Sequence, residues 1–518
     1  MKSFTGALFL GCALLAAAFP IGSALAESTV TGVVYDDANG NRAFDEGEPG
    51  VPGVGVSNGR DVVETDAEGR YALSISDDTI IFVLKPRGWR PERDANRISR
   101  FYYVHKPGGS PDGDFRFRGV EPTGPLPDSV DFALYRQEEA DTFDMVLFGD
   151  TQPRNLEEVD FIARDVLPEL IGVDAAFGIT LGDVVFNDLS VMEPLEDEVA
   201  KIGLPWYNIH GNHDINMVSA GDEYSDETWE RLYGPTYYSF DYGPVHFVVL
   251  DDIAWDGDRK YHGELGEKQT TFLANDLARV PSERLVVLMM HIPILGVKDR
   301  QTVYDLLAKF EHNLTLAAHT HRQTHHFIGP DLGWNGADEL HHLVHATVCG
   351  SWWAGSKDDF GIPHATMSDG TPNGYSIITF DKDGYSIRFK AASEDADYQM
   401  NIYAPPAVSA ANAADTQVAV NVFAGSERSI VEMRLGDDGK WRAMKPTKMR
   451  DPGYVRIKAA EDANSNRDGR KLPEASTSTH MWTLNLPPNP APGTTIIHVR
   501  TTDMFGQTYT GRRAIVVN

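Results

Sequence analysis

The order of apolar and polar residues divides the chain into three stretches. From Ser28 to Arg136, short runs of alternating apolar and polar residues are separated by Gly, Pro and Asp, which is typical of a small β-sandwich. From Asp144 to Ala392, strand-like runs alternate with amphipathic stretches. From Tyr398 the β pattern returns, for example in QVAVNVF and TTIIHVRTTD. The pattern predicts a mixed α/β layer sandwich with a small all-β sandwich on either side.

The same periodicity places helices, loops and domain boundaries. Three segments of the middle stretch have apolar residues at helical spacing: Asn155–Leu170, Gly266–Val280 and Gln301–Phe310. Residues 105–125, rich in Gly and Pro, and the polar residues 451–479 are predicted to be loops. The predicted domains are an N-terminal β-sandwich over 27–137, an α/β domain over 138–395 and a C-terminal β-sandwich over 396–518.

Residues 1–26 are predicted to be a cleaved signal peptide. Lys2 supplies a positive start, an apolar run follows, and the Ala-Leu-Ala sequence at 24–26 fits a signal-peptidase site. A lipid anchor at Cys12 is disfavoured, because Phe9 and Leu10 fit a lipoprotein signal poorly. No second apolar run approaches the roughly 18 residues that a membrane span needs. We therefore expect a periplasmic or secreted protein without a transmembrane anchor.

Composition narrows the classes of partner. Acidic residues outnumber basic ones by 76 to 46, and the formal net charge is −30. Such a surface repels polyanions, so no nucleic-acid or anionic-membrane binding surface is expected. Only Cys349 lies outside the predicted signal peptide, which rules out an intramolecular disulfide in the mature chain. The core or bound ions must then stabilise the exported protein.

Five short polar segments each follow an apolar, strand-like run. The carboxyl ends of strands are where α/β sheets collect ligand and metal sites. Each segment alone is an ordinary turn sequence, but five in this order favour a cluster of hard and borderline metal ligands. The segments are Asp150-Thr151-Gln152, Gly182-Asp183, Gly211-Asn212-His213-Asp214, His291 and His319-Thr320-His321.

In this order the segments resemble the D-x-H/Q, G-D, G-N-H-D/E, lone His and G-H-x-H motifs of the calcineurin-like metallophosphoesterase superfamily. The resemblance implies a four-layer α/β/β/α sandwich that binds two metal ions. It also implies an enzyme that hydrolyses phosphate mono- or diesters of small molecules or headgroups by means of a metal-bridging hydroxide. It implies that one metal is held by Asp150, Gln152, Asp183 and His321. The second is then held by Asp183, Asn212, His291 and His319.

Charge and ligand chemistry agree with that assignment. Two divalent cations against the carboxylates of Asp150 and Asp183 leave a net positive site, which can attract a phosphate ester to an acidic protein. Gln152 stands where His is commoner, and Ala318 stands where Gly usually precedes H-x-H, but neither change removes a ligand. Oxygen and imidazole ligands suit Mn²⁺, Fe or Zn²⁺ equally.

The resemblance gives His213 a different role from its neighbours. It implies that His213 protonates the leaving-group oxygen or hydrogen-bonds the phosphoryl group. Family members often orient this histidine with an Asp three residues after the bridging Asp, and here that position is Phe186. Asn187, Asp188 or Asp214 could replace it, and Asp188 is the preferred prediction.

Two further segments are candidate binding sites. In the first, carbonyl-bearing side chains occupy positions 1, 3, 5, 9 and 12 of an EF-hand calcium loop, with Arg42 in place of the usual Gly. The alternative is a hairpin turn without an ion. The predicted calcium ligands are Asp37, Asn39, Asn41, Asp45 and Glu48.

The second segment, residues 349–375, resembles one found in exported metallophosphoesterases with N- and C-terminal accessory β-domains. It supplies a candidate substrate wall beside the metals. The alternative is that both tryptophans pack under a long loop. The wall residues are Trp352, Trp353, His364 and Tyr375.

Two functions are consistent with the sequence. The favoured one is an exported dinuclear metallophosphoesterase, because the ligand set is complete. The other is a cell-surface binding or adhesion protein in which the β-sandwiches recognise the partner. About two transition-metal ions per chain would support the enzyme, and none would support the binding protein.

Overall fold

The structure is a computed structural model that describes residues 1, 28–111, 115–382 and 384–518. The predicted signal peptide lies almost entirely outside the described residues. Among the helices of the described part, none is long and apolar enough to cross a membrane.

The N-terminal region is a β-sandwich. One sheet has the strand order β4-β1-β9-β6-β7 and the other β3-β2-β5-β8. Alternate residues of the strands face inward, and Val34, Ile81 and Leu134 lie in the core between the sheets. The strands are β1 (Ser28–Asp36), β2 (Gly55–Ser57), β3 (Val62–Glu64), β4 (Arg70–Ile75), β5 (Thr79–Leu84), β6 (Trp89–Arg93), β7 (Ser99–Arg100), β8 (Tyr102–His105) and β9 (Phe132–Arg136).

The middle region contains two mixed sheets and five α-helices among its described residues. The strands are β10 (Phe143–Phe148), β11 (Phe177–Thr180), β12 (Trp206–Asn208), β13 (Tyr238–Tyr242), β14 (Val245–Val249), β15 (Ile253–Gly257), β16 (Lys260–Gly263), β17 (Leu285–Met289), β18 (His312–Ala317), β19 (Thr324–Ile328), β20 (Leu340–Val344), β21 (Gly374–Asp381) and β22 (Gly384–Ala391). The helices are α1 (Leu156–Asp165), α2 (Met192–Val199), α3 (Glu227–Tyr233), α4 (Gly266–Leu277) and α5 (Arg300–Leu307).

These elements form four layers. One sheet has the order β12-β11-β10-β21-β22 and the other β13-β14-β17-β18-β20-β19. Their facing residues, among them Leu147, Ile179 and Val287, form one buried core. Helices α1 and α2 cover the outer face of the first sheet. Helices α4 and α5 cover that of the second, so the predicted α/β/β/α sandwich is confirmed.

The parallel strands determine where the site forms. β10, β11 and β12 run parallel in the first sheet, and β14, β17, β18 and β20 run parallel in the second. Their carboxyl ends therefore lie along the same edge of the sandwich. Helix α1 begins just beyond this edge, where the side chain of Asn155 caps it by accepting from the Glu158 amide at 3.1 Å.

The C-terminal region is also rich in β-structure. One sheet has the order β23-β25-β31-β28 and the other β24-β33-β32-β26-β27, around a shared core. The strands are β23 (Met400–Tyr403), β24 (Ala407–Val408), β25 (Gln417–Val422), β26 (Ile430–Leu435), β27 (Arg442–Ala443), β28 (Lys445–Pro446), β29 (Met449–Arg450), β30 (Thr477–Ser478), β31 (Met481–Asn485), β32 (Gly493–Thr502) and β33 (Thr508–Val517).

One prediction of a loop is wrong. Residues 451–479 include helix α6 (Pro452–Ala463) as well as the short strand β30. The helix begins with Asp451, whose side chain accepts from the Tyr454 amide, and has Pro452 at its first position. These are ordinary helix-start signals, but the apolar face of α6 is too weak to be detected by periodicity.

Candidate metal centre

The predicted ligands meet at one edge of the sandwich, and each is delivered by the end of a strand. Asp150 follows β10, Asp183 follows β11 and Asn212 follows β12. From the second sheet, His291 follows β17, and the turn after β18 carries His319 and His321. Except for the half-buried His319, these side chains are buried.

Asp183 lies at the middle of the group. Its Oδ2 is 3.3 Å from His291 Nε2 and accepts from Gln152 Nε2 at 2.6 Å. Its Oδ1 accepts from the His213 amide at 2.8 Å. Since both oxygens face neighbours in the cluster, the carboxylate is placed to bridge two ligand sets.

One set of donors surrounds His291. Its Nε2 lies 3.2 Å from Asn212 Oδ1 and 3.1 Å from His319 Nδ1. Single ligand atoms of Asp183, His291 and His319 all lie within 4.8 Å of one another. Convergent imidazole, amide and carboxylate lone pairs fit a divalent metal ion.

The other set surrounds Asp150. His321 Nε2 lies 3.1 Å from Asp150 Oδ2, a buried atom that has no conventional hydrogen bond among the described residues. The Oδ1 atom accepts from the His319 amide at 3.0 Å. A buried carboxylate oxygen without a donor is costly unless a cation satisfies it, so this set also fits a metal ion.

Backbone carbonyls orient two of the imidazoles. His291 Nδ1 lies 2.8 Å from the Leu181 carbonyl oxygen, and His321 Nδ1 lies 2.5 Å from that of Gly350. A carbonyl can only accept, so each Nδ1 carries the proton. The Nε2 atoms therefore point into the cluster, which is the usual arrangement of a metal-binding histidine.

The backbone is strained where the ligands are. Gln152, Asp183, His319 and His321 all have positive φ, at 40°, 50°, 67° and 50°. Left-handed backbone is uncommon for residues other than Gly, Asn and Asp, and it persists only when the surroundings enforce it. The fold thus holds these side chains in conformations that a free loop would not adopt.

Protonation in the cluster follows from burial and neighbouring charge. Burial opposes ionisation of Asp183, but His291 and His213 outweigh it and hold its pKa below the usual range. Burial alone would lower the pKa of His291, yet Asp183 raises it to about 10. Burial, with His291, lowers the pKa of His319 to about 4. Both a carboxylate and a neutral imidazole are therefore available to a metal.

Three family profiles match consecutive parts of the chain. The profile of calcineurin-like phosphoesterase matches residues 144–323. The profile of the N terminal of calcineurin-like phosphoesterase matches residues 37–120, and that of its C terminal matches residues 342–509. The chain belongs to the calcineurin-like phosphoesterase family. It is therefore a metal-dependent phosphoesterase with flanking β-rich domains, as its sequence predicts.

Comparison of this phosphoesterase with solved structures gives distant similarities. Purple acid phosphatase PPD1 from yellow lupin (Lupinus luteus) seeds is 13% identical with a TM-score of 0.34, over 66% of this chain and 67% of that one. CopC from Methylosinus trichosporium OB3b is 13% identical with a TM-score of 0.13, over 23% of this chain and 89% of that one. No curated protein sequence gives a significant match.

His213 of the phosphoesterase lies beside the ligand cluster and is held by Asn187. The distance between His213 Nδ1 and Asn187 Oδ1 is 2.6 Å. Phe186 stacks on the imidazole with ring centroids 4.3 Å apart. Phe186, which replaces the acid common in the family, thus packs against the histidine while the next residue supplies the hydrogen bond.

The preferred orienting partner, Asp188, lies elsewhere. Its side chain accepts from the Ser190 hydroxyl at 2.6 Å and pairs with Arg116 at 3.0 Å. Asp214 is buried and accepts from the amides of Gly211, Val184 and Val185, each at 3.0 Å. Neither carboxylate bonds to the His213 ring, so the structure gives this contact to Asn187 instead.

The predicted substrate wall divides into two parts. Trp352 is half-buried and its ring lies over His321 with centroids 4.0 Å apart. Trp353 and Tyr375 are buried in the core under helix α1, with exposed fractions of 1% and 4%. His364 bonds to Glu461 of helix α6 at 2.9 Å. Of the four predicted wall residues, Trp352 is the one whose ring lies against a predicted metal ligand, and a substrate wall stays a prediction.

The predicted calcium loop folds around its own side chains. Asp37 accepts from the amides of Gly40 and Arg42, and Asp45 accepts from the side chains of Asn39 and Asn41. Glu48 accepts from the Asp45 amide at 3.1 Å. Arg42 has a φ of 65°, the conformation for which EF-hand loops use Gly. Calcium binding stays a prediction.

Sequence reasoning missed three neighbours of the centre. Cys349 Sγ lies 3.7 Å from both His321 Nδ1 and Gln152 Oε1. Arg154 and Arg470 both bond to the Trp352 carbonyl oxygen. Arg154 could have been noticed because it lies four residues after Asp150. Nothing in the sequence connects Arg470 to the motifs, from which it is far removed along the chain.

Proposed function

We propose that the protein is an exported phosphoesterase with two metal ions, which hydrolyses phosphate mono- or diesters with His213 as the general acid. The observation that carries the proposal is the convergence of carboxylate, amide and imidazole donors at five strand ends. The domain boundaries proposed are 27–137, 138–395 and 396–518, after a signal peptide over 1–26.

The ligands proposed for the two metals divide at Asp183. Asp150, Gln152 and His321 would hold one ion, while Asn212, His291 and His319 would hold the other. Gln152 now directs Nε2 toward Asp183, and ligation needs its Oε1, so the amide must turn by half a rotation. Mn²⁺, Fe and Zn²⁺ are all compatible with this donor set.

Bound divalent metals lower the pKa of a coordinated water and neutralise charge on a phosphoryl group. The residues of the chain supply the rest. The strained strand-end turns fix the ligands, and the apolar core behind them keeps bulk water away. This arrangement reduces the reorganisation needed during reaction.

His213 is proposed to give a proton to the leaving-group oxygen. Because Asn187 Oδ1 can only accept, it holds the Nδ1 proton, and Nε2 is the atom left to donate. Burial lowers the pKa of His213, which makes its imidazolium a stronger acid. Phe186 restricts the ring to one plane.

The test uses the full mature chain loaded separately with Mn²⁺, Fe or Zn²⁺. Aryl phosphate monoesters and diesters are assayed, and metal content is measured on the same sample. We expect about two ions per chain and release of the aryl alcohol. Replacing His213 by Ala is expected to lower kcat about 10²- to 10⁴-fold with the metal content retained. A folded protein with no metal and no turnover would instead favour the binding-protein alternative.

A further inference from the structure

Two arginines converge on one carbonyl oxygen beside the proposed metal centre. Arg154 Nη1 donates to the Trp352 carbonyl oxygen at 3.0 Å, and Arg470 Nη2 donates to the same atom. Arg154 follows the first ligand motif, whereas Arg470 belongs to the loop after helix α6 in the C-terminal region. Like charges held together in this way need compensation.

The loop that carries Arg470 is fitted closely to the catalytic region. The Gly355 amide donates to the Arg470 carbonyl oxygen at 2.9 Å. A Cβ on Gly469 would come within 1.7 Å of the Gly355 carbonyl oxygen, so only glycine allows this approach. The C-terminal region therefore delivers Arg470 to a defined position.

A single carboxylate pairs with both guanidinium groups. Glu158, whose side chain is 4% exposed, lies 2.5 Å from Arg470 and 3.8 Å from Arg154. Among the described residues, no other carboxylate lies within ion-pair distance of either arginine. The pair therefore carries a surplus positive charge in a protein whose net charge is −30.

The surplus charge lies on the side of His213. The Arg154 guanidinium is 4.0 Å from the Phe186 ring centroid, and Phe186 is stacked on His213. The carbonyl that joins the two arginines belongs to Trp352, whose ring covers His321. Phe186 thus contacts both His213 and Arg154, so a group on the alcohol that His213 would protonate can reach the guanidinium groups by extending along this ring.

Both arginines have room for a ligand. The side chains of Arg154 and Arg470 are 27% and 42% exposed. Nε and Nη2 of Arg154 have no hydrogen-bond partner among the described residues. Planar guanidinium donors suit carboxylate and phosphate oxygens.

We propose that Arg154 and Arg470 form an anion subsite, which binds a second negatively charged group on the leaving alcohol of the phosphoester. The inference rests on the proposed function, since the leaving group is defined by His213. It narrows the substrate class to phosphoesters whose alcohol carries a carboxylate or a further phosphoryl group.

Two matched aryl esters test the subsite with the full mature, Mn²⁺-loaded chain. Phenyl phosphate and 4-carboxyphenyl phosphate differ in one remote carboxylate. The modest electron withdrawal of this carboxylate from the leaving phenol is the same in every variant, so loss of the preference in a variant reports the subsite. The corresponding methyl diesters are used if only diesters are turned over. We expect kcat/KM to be about tenfold or more higher for the carboxylated ester, as for a charge-assisted hydrogen bond. Replacing Arg470 or Arg154 by Gln should remove most of this preference, and Arg470→Lys should retain part of it.

Arg164 offers a matched control. Its side chain is 42% exposed like that of Arg470, pairs with Asp160 at 2.8 Å and donates to the Phe360 carbonyl oxygen at 2.9 Å. It lies on helix α1 and contacts none of the residues proposed to act in the reaction. Arg164→Gln should keep the full preference for the carboxylated ester.

A separate binding measurement distinguishes failure of the subsite from failure of the proposed activity. Calorimetry compares benzylphosphonate with 4-carboxybenzylphosphonate, neither of which can be hydrolysed. If no ester is hydrolysed, the proposed activity is wrong. Tighter binding of the carboxylated phosphonate would still support the subsite if the Arg470→Gln substitution abolishes the difference in affinity. Equal affinity for the two phosphonates, or an Arg470→Gln variant that weakens both equally, would overturn it.

Discussion

At the scale of single residues, His213 is held by a neutral amide. An amide oxygen accepts the Nδ1 proton without adding the negative charge that a carboxylate would bring. Asn187 reaches the ring with a φ of 62°, a backbone conformation that Asn tolerates better than most residues. A shift of one position, from Asn187 to Asp188, would change the hydrogen-bond partner of His213 from a neutral amide to a carboxylate. The spacing of the motifs does not reveal which of the two residues faces the imidazole.

The role of Asn187 leads to a first prediction. Replacing Asn187 by Ala should lower kcat about 10- to 100-fold, because the imidazole loses the contact that fixes its orientation and tautomer. Steady-state kinetics with an aryl ester measures the loss, and metal analysis should find the ions retained. Asp188→Ala is the neighbouring control and should have a small effect, since Asp188 bonds to Ser190 and Arg116. A larger loss in the Asp188 variant would contradict this assignment.

The central position of Asp183 leads to a second prediction. Asp183→Asn should lose both metal ions, because one of the two negative ligands disappears and its Oδ2 contacts residues of both sets. Asn212→Ala should lose mainly one ion, since Asn212 contacts only the His291 set. The metal content of each dialysed variant is measured by mass spectrometry. Two ions remaining in Asp183→Asn would exclude a bridging role.

At the scale of elements, strands and helices differ in how well their sequences predict them. The strand before each motif is found because it is buried and continuously apolar. Helices α1, α4 and α5 are found because one face is apolar, and their predicted bounds extend two or more residues too far at the C-terminal end. Helices α2, α3 and α6 are missed because they are short or have a mixed face, and tertiary packing stabilises them.

One strand carries a charged group whose effect can be measured. His246 on β14 is 4% exposed, with Nδ1 2.8 Å from Asp241 and Nε2 3.0 Å from Asp276. Burial opposes protonation, but the carboxylates outweigh it, Asp276 most strongly, and raise the pKa of His246 to about 9. The imidazolium thus joins strand β13 to helix α4 across β14.

The raised pKa of His246 gives a third prediction. The folded state binds the proton more tightly than the unfolded state, so the stabilisation is complete below the unfolded pKa near 6.5. It is lost as pH rises through about 9. We expect the free energy of unfolding to fall by about 1–3 kcal/mol between pH 6.5 and 9.5. Urea unfolding of wild type and His246→Asn at both pH values measures it. The same fall in both proteins would rule out His246 as its source.

At the scale of the whole molecule, buried polar contacts join the flanking regions to the catalytic sandwich. Lys106 of the N-terminal region is 3% exposed and bonds to Glu227 at 2.6 Å and Glu230 at 2.5 Å on helix α3. On the other side, His480 lies 3.2 Å from Asp369, which also accepts from the Gln323 amide just after the last ligand motif. The C-terminal region thus contacts a segment next to the proposed metal centre, and the N-terminal region contacts helix α3 of the catalytic sandwich.

The N-terminal contact leads to a fourth prediction. Lys106→Met should destabilise the protein by about 3–5 kcal/mol, because it leaves the Glu227 carboxylate buried without its cation. Denaturant unfolding followed by tryptophan fluorescence measures the change. Lys201→Met is the control, because the Lys201 side chain is 58% exposed where it pairs with Glu198, and its loss should cost less than about 1 kcal/mol. Equal effects of the two changes would show that the buried pair has no special role.

The amino-acid sequence by itself determines the mixed α/β character of the middle region, the flanking β-regions and the set of candidate ligands, while the four-layer order is what the family resemblance implies. Strands are predicted from local periodicity, and the carboxyl ends of parallel strands meet at one edge of a sheet. The sequence therefore predicts that Asp150, Asp183 and His291 lie close together. Only the tertiary structure decides that Asn187 rather than Asp188 meets His213, because a shift of one residue in a turn redirects the side chain. The approach of Arg470 also depends on the docking of two regions, a long-range contact for which the sequence carries no local signal.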